Sequence, residues 1–408
     1  MVKKKEFIWN MIASICASCI SMVLLFLITR INGVTIAGMF AICFATATVL
    51  NSFSDFGMRV FQVTDTTRTY KFKNYLAARY VVNILMILAS ILAVVVAGYE
   101  QDKSLICLFL VFFRFADGIS ETYQGEFQLQ GCLDAAGRSV VIRMIAALLA
   151  FLFVDLYTKD VLIAIVVMCL VDWIGHLIYD NFQLKKLDVI DDTLKVGEIG
   201  RIIIECFPLF ISTLLNNYIV NAPKYAIDRY LSYEIQTYFN ILYLPTFTIN
   251  LMSIFVLKPL LKVIGERWNN HEYGKFSSSF GCVFLIIFAI TLVVEVVSYY
   301  IGIPILNIIY NVQLNGYKKD LLILIVGGGL SALSVALFYG LTAMRRQKST
   351  SVAYGITAIC AMVFSCGLVK KYDLRGAVYS SLLVMLIQTV LLGVLFLWYY
   401  KMELKYSR

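Results

Sequence analysis

The residues best suited to chemistry lie in two polar stripes set into apolar sequence. The first runs Arg114, Asp117, Glu121, Gln124 and Gln128, at spacings of three, four, three and four. At 100° per residue these five positions share an arc of about 80°, so one helix face carries a cation, two acids and two amides. The second stripe, Thr213, Asn217, Asn221, Lys224 and Asp228, spans a similar arc of about 80° on a helix that Pro223 is expected to kink. A guanidinium or ammonium group can hold a phosphate, amides can meet hydroxyls, and carboxylates can balance charge or carry a proton or Na⁺. An Arg114–Asp117 pair joined by Glu121 could also serve only to fix helix packing. Five polar side chains on one face exceed what packing needs, and they suit the lining of a cavity.

Three further residues extend the first stripe. Arg143 is a second cation for the same space, while Asp172 and His176 are one helical turn apart, as either a proton relay or a satisfied structural pair requires. Asn10, Ser14, Ser18 and Ser21 form a weakly polar line that suits close packing and back-bonding to carbonyls. Between Gly57 and Tyr75 lie Arg59, Arg68, Lys71 and Lys73, with Arg79 just beyond. This basic connection expresses either the positive-inside bias or a role in collecting an anionic headgroup. Glu295 and Gln388 are lone polar groups in apolar runs, and Gly327, Gly328 and Gly329 suit bending or close packing.

The elements that must position these groups are membrane helices. Of 408 residues, 60% are hydrophobic and 15% charged, with a mean hydropathy of +0.81, well outside the range of soluble domains. Apolar runs long enough to cross a ~30 Å hydrocarbon core recur about twelve times. An even number places both termini on one side. About 23 of the basic residues fall in the loops on that side and about 10 in the opposite loops, which makes both termini cytoplasmic. A bare charge at the bilayer centre costs about 3 kcal/mol, so the two stripes must face protein or water. The expected fold is an all-α polytopic bundle of about twelve helices, in two six-helix lobes around a central cavity. The polar stretch from Asn181 to Arg201 separates the lobes, at residues 1–190 and 191–408.

Several function classes are excluded. The net charge of +9 follows from the positive-inside bias, and no basic block suggests nucleic acid. Nine of ten cysteines lie within apolar runs and Cys132 in a loop, so no disulfide framework is expected, and Cys16 and Cys19 lack the companions of a metal site. No phosphate-binding G-x-x-x-x-G-K-[ST] segment occurs, and no extramembrane stretch can house a soluble catalytic domain. The chain is expected to be a transporter without cofactor, drawing on an H⁺ or Na⁺ gradient, a partner or consumption of the product.

Six stretches resemble the bacterial oligosaccharide flippases, or Wzx proteins, of the multidrug/oligosaccharidyl-lipid/polysaccharide exporter (MOP) superfamily. They are NAPKYAID (Asn221–Asp228), FNILYLPTFTINLMSIFVLKPLL (Phe239–Leu261), FSDFGMRVFQVTD (Phe53–Asp65), KFKNYLAARY (Lys71–Tyr80), RFADGISETYQGEFQ (Arg114–Gln128) and ECFPLF (Glu205–Phe210). The resemblance implies alternating access across a bacterial cytoplasmic membrane, with undecaprenyl-pyrophosphate-linked oligosaccharide as substrate. On this view Arg114, Arg143 and Lys224 hold pyrophosphate. Asn217, Asn221, Gln124 and Gln128, with Tyr218 and Tyr225, meet the glycan. Asp117, Glu121, Asp172 and Asp228 balance charge or couple to H⁺ or Na⁺. Other surface-polysaccharide assembly proteins are expected partners. The alternatives are a multidrug or small-cation antiporter of the same fold, a membrane glycan polymerase or ligase, and a scaffold for envelope enzymes.

Overall fold

A computed structural model describes residues 4–65, 68–187 and 194–406. The expected lobe boundary at 190/191, with Asp188, Asp191 and Asp192, lies outside the described residues. Helices account for nearly all of the rest, as an apolar chain in lipid requires, because only a helix satisfies every backbone N–H and C=O within one segment.

The first compact unit is Met1–Asn217. It contains α1 (Lys4–Ile31), α2 (Val34–Asp55), the short α3 (Met58–Thr64), α4 (Phe72–Ala97), α5 (Gln101–Leu129) and α6 (Leu133–Thr158). α7 (Val161–Gly175) continues through a π-helical turn (His176–Asp180) into α8 (Asn181–Lys186). Asp160 caps α7, its carboxylate accepting from the N–H groups of Leu162 (2.9 Å) and Ile163 (3.2 Å). α5 carries the first polar stripe and is the centre of the unit, packed against α2, α3, α4, α6 and α7. The most polar helix is thus the one most shielded from lipid, while α4 turns Leu88, Leu92, Val95 and Val96 outward. Close approach of α2 to α5 depends on Gly118, where a Cβ would overlap Ser54 Oγ.

The second unit is Tyr218–Arg408. α9 (Val196–Tyr230) is divided between the units and runs through Pro208 and Pro223 without interruption. There follow α10 (Tyr233–Leu242), α11 (Leu244–Asn269), α12 (Tyr273–Val297), a π turn (Ser298–Gly302), α13 (Ile303–Tyr310), α14 (Lys318–Ala343) and α15 (Gln347–Tyr406). α14 is central here, packed on α11, α12 and α15. A Cβ on Gly328 would stand 2.9 Å from Thr246 Cγ2, so this glycine provides the close packing expected of it. α15 is two helices joined at Asp373, whose backbone is not helical (φ 51°, ψ −132°).

Among the described residues ten helical segments are long and apolar enough to cross a membrane. α5 is not among them, and one of the ten, Lys348–Lys405, contains the Asp373 break. The chain is a multi-pass membrane protein. All ten cysteines are free thiols.

Candidate functional site

Geometry builds the first stripe into a branched ion network. On α5, Arg114 Nη1 lies 3.3 Å from Asp117 Oδ2, one turn away. Arg143 reaches across from α6. Its Nη2 donates to Asp117 Oδ1 (3.1 Å) and to Asp172 Oδ2 (2.7 Å), and its Nε donates to Asp172 Oδ1 (3.1 Å). Arg143 and Asp172 are both fully buried, and their paired bonds have the fork geometry that suits guanidinium to carboxylate. The expected pairing of Asp172 with His176 is not formed. The π turn carries His176 to Asp180, where its Nδ1 lies 2.8 Å from Oδ2. Asp180 also accepts from Ser120 Oγ (2.6 Å) and Ser139 Oγ (2.5 Å), so it is a fully partnered acid.

A second arginine group surrounds Glu121. Arg79 is fully buried; its Nε donates to Thr122 Oγ1 (3.1 Å) and its Nη1 to the main-chain oxygens of Ser54 and Asp55. Its Nη2 stands 3.8 Å from Glu121 Oε2. Arg59, on α3, donates to Gln124 Oε1 at 3.0 Å, and Gln124 in turn donates to Ser120 Oγ at 3.1 Å. Asp55 lies within electrostatic reach of Arg79 and Arg59. Arg59, Arg79, Arg114 and Arg143 are thus opposed by Asp55, Asp117, Glu121 and Asp172, an even balance of signs.

A cavity of about 180 Å³ opens at this network, lined by Arg59, Arg114, Asp117, Glu121 and Gln124, with Asn10, Ser14 and Asn51 opposite. That volume suits about six waters or a small anion and is too small for an oligosaccharide. Arg143 and Asp172 do not line it; Arg143 bonds to Asp117, and Asp172 in turn holds Arg143. Gln128, half-buried, does not line it either.

The second stripe is divided between the units. In the first, Asn217 Nδ2 donates to Ser52 Oγ on α2 at 2.9 Å. In the second, Asn221 is buried, Lys224 and Asp228 are half-buried, and Lys224 Nζ stands 5.7 Å from the centre of the Tyr243 ring, within cation–π range. Tyr218 and Tyr225 stack at 6.2 Å between centroids. No carboxylate pairs with Lys224 among the described residues, and no group of three or more His, Cys, Asp or Glu side chains is arranged to hold a metal there.

Four cavity residues carried a different sequence reading or none. By spacing, Asn10 and Ser14 suit packing, Arg59 is one loop charge among several, and nothing in the sequence singles out Asn51. Arg59 reaches the cavity because Phe56 (φ 45°) and Gly57 (φ 69°) are both left-handed, which folds α3 back against α5.

No known family profile matches the chain. A curated relative, the capsular polysaccharide biosynthesis protein CapF of Staphylococcus aureus, is 22% identical over 383 residues, which cover 91% of this chain and 94% of the relative. Among solved structures, the lipid II flippase MurJ in an inward closed conformation superposes with a TM-score of 0.69 at 11% identity, covering 93% of this chain and 86% of that one. An outward-facing multidrug resistance MATE family transporter of the MOP superfamily superposes at 0.64 with 15% identity, covering 98% and 95%. The chain has the fold that these two proteins share. Flippases and drug transporters share this MOP fold, so the fold alone does not assign a substrate to the chain.

Proposed function

We propose that this MOP-fold protein is a flippase. It moves undecaprenyl-pyrophosphate-linked oligosaccharide repeat units from the cytoplasmic to the outer leaflet of a bacterial cytoplasmic membrane, by alternating access, for capsule or O-antigen synthesis. The observation that carries the reading is the pairing of Arg59 and Arg114 on one small polar cavity. Arg59 is held by a neutral amide, and Arg114 shares its carboxylate with Arg143, so both retain capacity for an incoming anion. The cavity's size suits the diphosphate and not the glycan, whose hydroxyls need partners elsewhere; Asn221, Tyr218 and Tyr225 of the second unit are candidates. Full-length similarity to a capsular polysaccharide biosynthesis protein supports the same reading.

On this proposal both termini are cytoplasmic. α5 and the two arms of α15 complete twelve crossings in two six-helix lobes. Lys224 is the cation of the second lobe, and Asp228 serves charge balance or coupling to H⁺ or Na⁺. Polysaccharide assembly proteins are the expected partners, and the membrane anchors the polyprenyl tail throughout.

Proteoliposomes test the proposal. Lipid-linked oligosaccharide is reconstituted with the protein, and an impermeant glycosidase reports glycan access on one face. Wild type should expose glycan that protein-free vesicles protect, and Arg114→Ala should abolish the difference. Equal protection with and without wild-type protein would refute flipping. Antiport of organic cations is the second reading, favoured by the likeness to a multidrug transporter. Ethidium exchange against a pH gradient, without glycan movement, would establish it instead.

A further inference from the structure

We propose that the second unit carries a sugar-binding pocket of its own, at the end of its helices remote from the C-terminus, where the glycan is held as it leaves. The identity of the sugar rests on the flippase reading. The pocket, of about 560 Å³, is within the range of small-ligand sites and is lined by Ser232, Ile235, Tyr317, Tyr372, Asp373 and Arg375. Three separate pieces of chain meet there: the α9–α10 connection, the 3₁₀ turn Asn315–Tyr317, and the break in α15.

Each wall has a chemical character. Tyr317 packs against Tyr238 at 6.2 Å between ring centroids, and Tyr238 is itself fixed by donating to Glu234 Oε1 at 2.6 Å. Tyr372 is 45% exposed; its ring meets Tyr379 at 6.5 Å between centroids in a T-shaped contact, and Lys371 Nζ stands 5.1 Å from its centre, which leaves part of the ring open to the pocket. The same pocket is lined by a carboxylate, Asp373, and a guanidinium, Arg375. Arg375 Nε lies 3.8 Å from the buried Asp320 Oδ2, which orients the head, while its Nη nitrogens have no protein partner among the described residues. The Asp373 carboxylate is likewise without a protein partner there.

Sugars present two complementary surfaces: C–H faces that pack on aromatic rings, and adjacent hydroxyls that suit planar two-point groups such as carboxylate and guanidinium. Both kinds of partner occur here in one concave site. A ring that only anchors the protein at the lipid interface needs neither the concavity nor the paired Asp373 and Arg375. The Asp373 backbone conformation is strained for any residue but glycine, and it sets Tyr372 and Arg375 on either side of the bend.

The test uses full-length protein in nanodiscs. The probe is the glycan released by mild acid from the lipid-linked pool of the producing cells, free of lipid and phosphate, with binding followed by saturation-transfer NMR. Tyr317→Ala combined with Tyr372→Ala should weaken binding by about ten-fold. The matching Phe pair should retain it. Arg375→Gln should also weaken binding, which protects the test if the double alanine variant does not fold. Equal binding by wild type and the variants, or no binding by wild type, overturns the pocket. Competition by sugar-free undecaprenyl phosphate overturns the sugar assignment. Glycan flipping by wild type without tyrosine-dependent binding removes the pocket alone. Tyrosine-dependent binding without flipping keeps the pocket and removes the flippase reading.

Discussion

Arg143 and Asp172 meet through two hydrogen bonds, Nε to Oδ1 at 3.1 Å and Nη2 to Oδ2 at 2.7 Å, with both side chains fully buried. Such a pair costs desolvation but is far more costly to break on one side, by about 3–5 kcal/mol, because a lone charge is then left in apolar surroundings. Arg143→Ala should therefore lower the thermal unfolding midpoint of the detergent-solubilised protein and its yield. Arg143→Met combined with Asp172→Leu should recover much of the loss. A single variant as stable as wild type would show that the pair does not hold the unit together.

Arg114 and Arg59 should behave in the opposite way. Each lines the cavity, and neither is fully buried. Arg59→Ala and Arg114→Ala should keep the unfolding midpoint near that of wild type while reducing glycan translocation by roughly ten-fold or more, the scale of a lost charge-assisted contact. Lysine at either position should restore part of the transport, as a point charge lacking the planar fork. Transport equal to wild type would remove the residue from the anion site.

Gly57 and Gly98 separate backbone strain from packing. Both are left-handed, at φ 69° and 63°. A Cβ at Gly57 would stand 2.7 Å from Leu209 Cβ, whereas at Gly98 nothing lies within 4 Å. Gly98→Ala should cost about 1 kcal/mol from conformation alone. Gly57→Ala should cost clearly more and should impair transport, because it disturbs the turn that delivers Arg59. Equal midpoints for the two variants would contradict that account.

Asp65, beyond the end of α3, gives a pH prediction. Burial pushes its carboxyl up, but the N–H groups of Tyr70 and Thr69 and the Thr69 and Tyr75 hydroxyls hold it below the usual carboxylate range. The folded pKa is lower than the unfolded one, so the contribution is fully present above the unfolded value, near 3.9, and is lost as pH falls through the folded value. Proteolysis of the 65–71 connection should accelerate below about pH 4 in wild type. In Asp65→Asn it should be faster at neutral pH and insensitive to that step.

The α5 stripe was legible in sequence because a 3.6-residue period survives in any helix, whatever surrounds it. Its central position was legible too, since five polar groups cannot face lipid. The partners were not. Asp172 lies 29 residues from Arg143, and nothing local marks which of several acids an arginine will meet. Arg59 was hidden for another reason: its access depends on two consecutive left-handed residues, and Phe56 gives no sign of adopting that conformation. Asn217 and Asn221 sit on one helical face, as their spacing requires, yet α9 is divided between them. Periodicity describes a helix and is silent on which body owns each half.

The π turn at His176–Asp180 has a consequence for ancestry. A π turn takes up one more residue than α-helical winding over the same rise, so everything after it is rotated relative to what precedes it. A homologue with uninterrupted winding would be one residue shorter there, and Ser120 and Ser139 would face a different position of that helix. Gaps in alignments are customarily placed in loops. Here the single-residue gap belongs inside a helix, and placing it elsewhere would match Asp180 with the wrong ancestor.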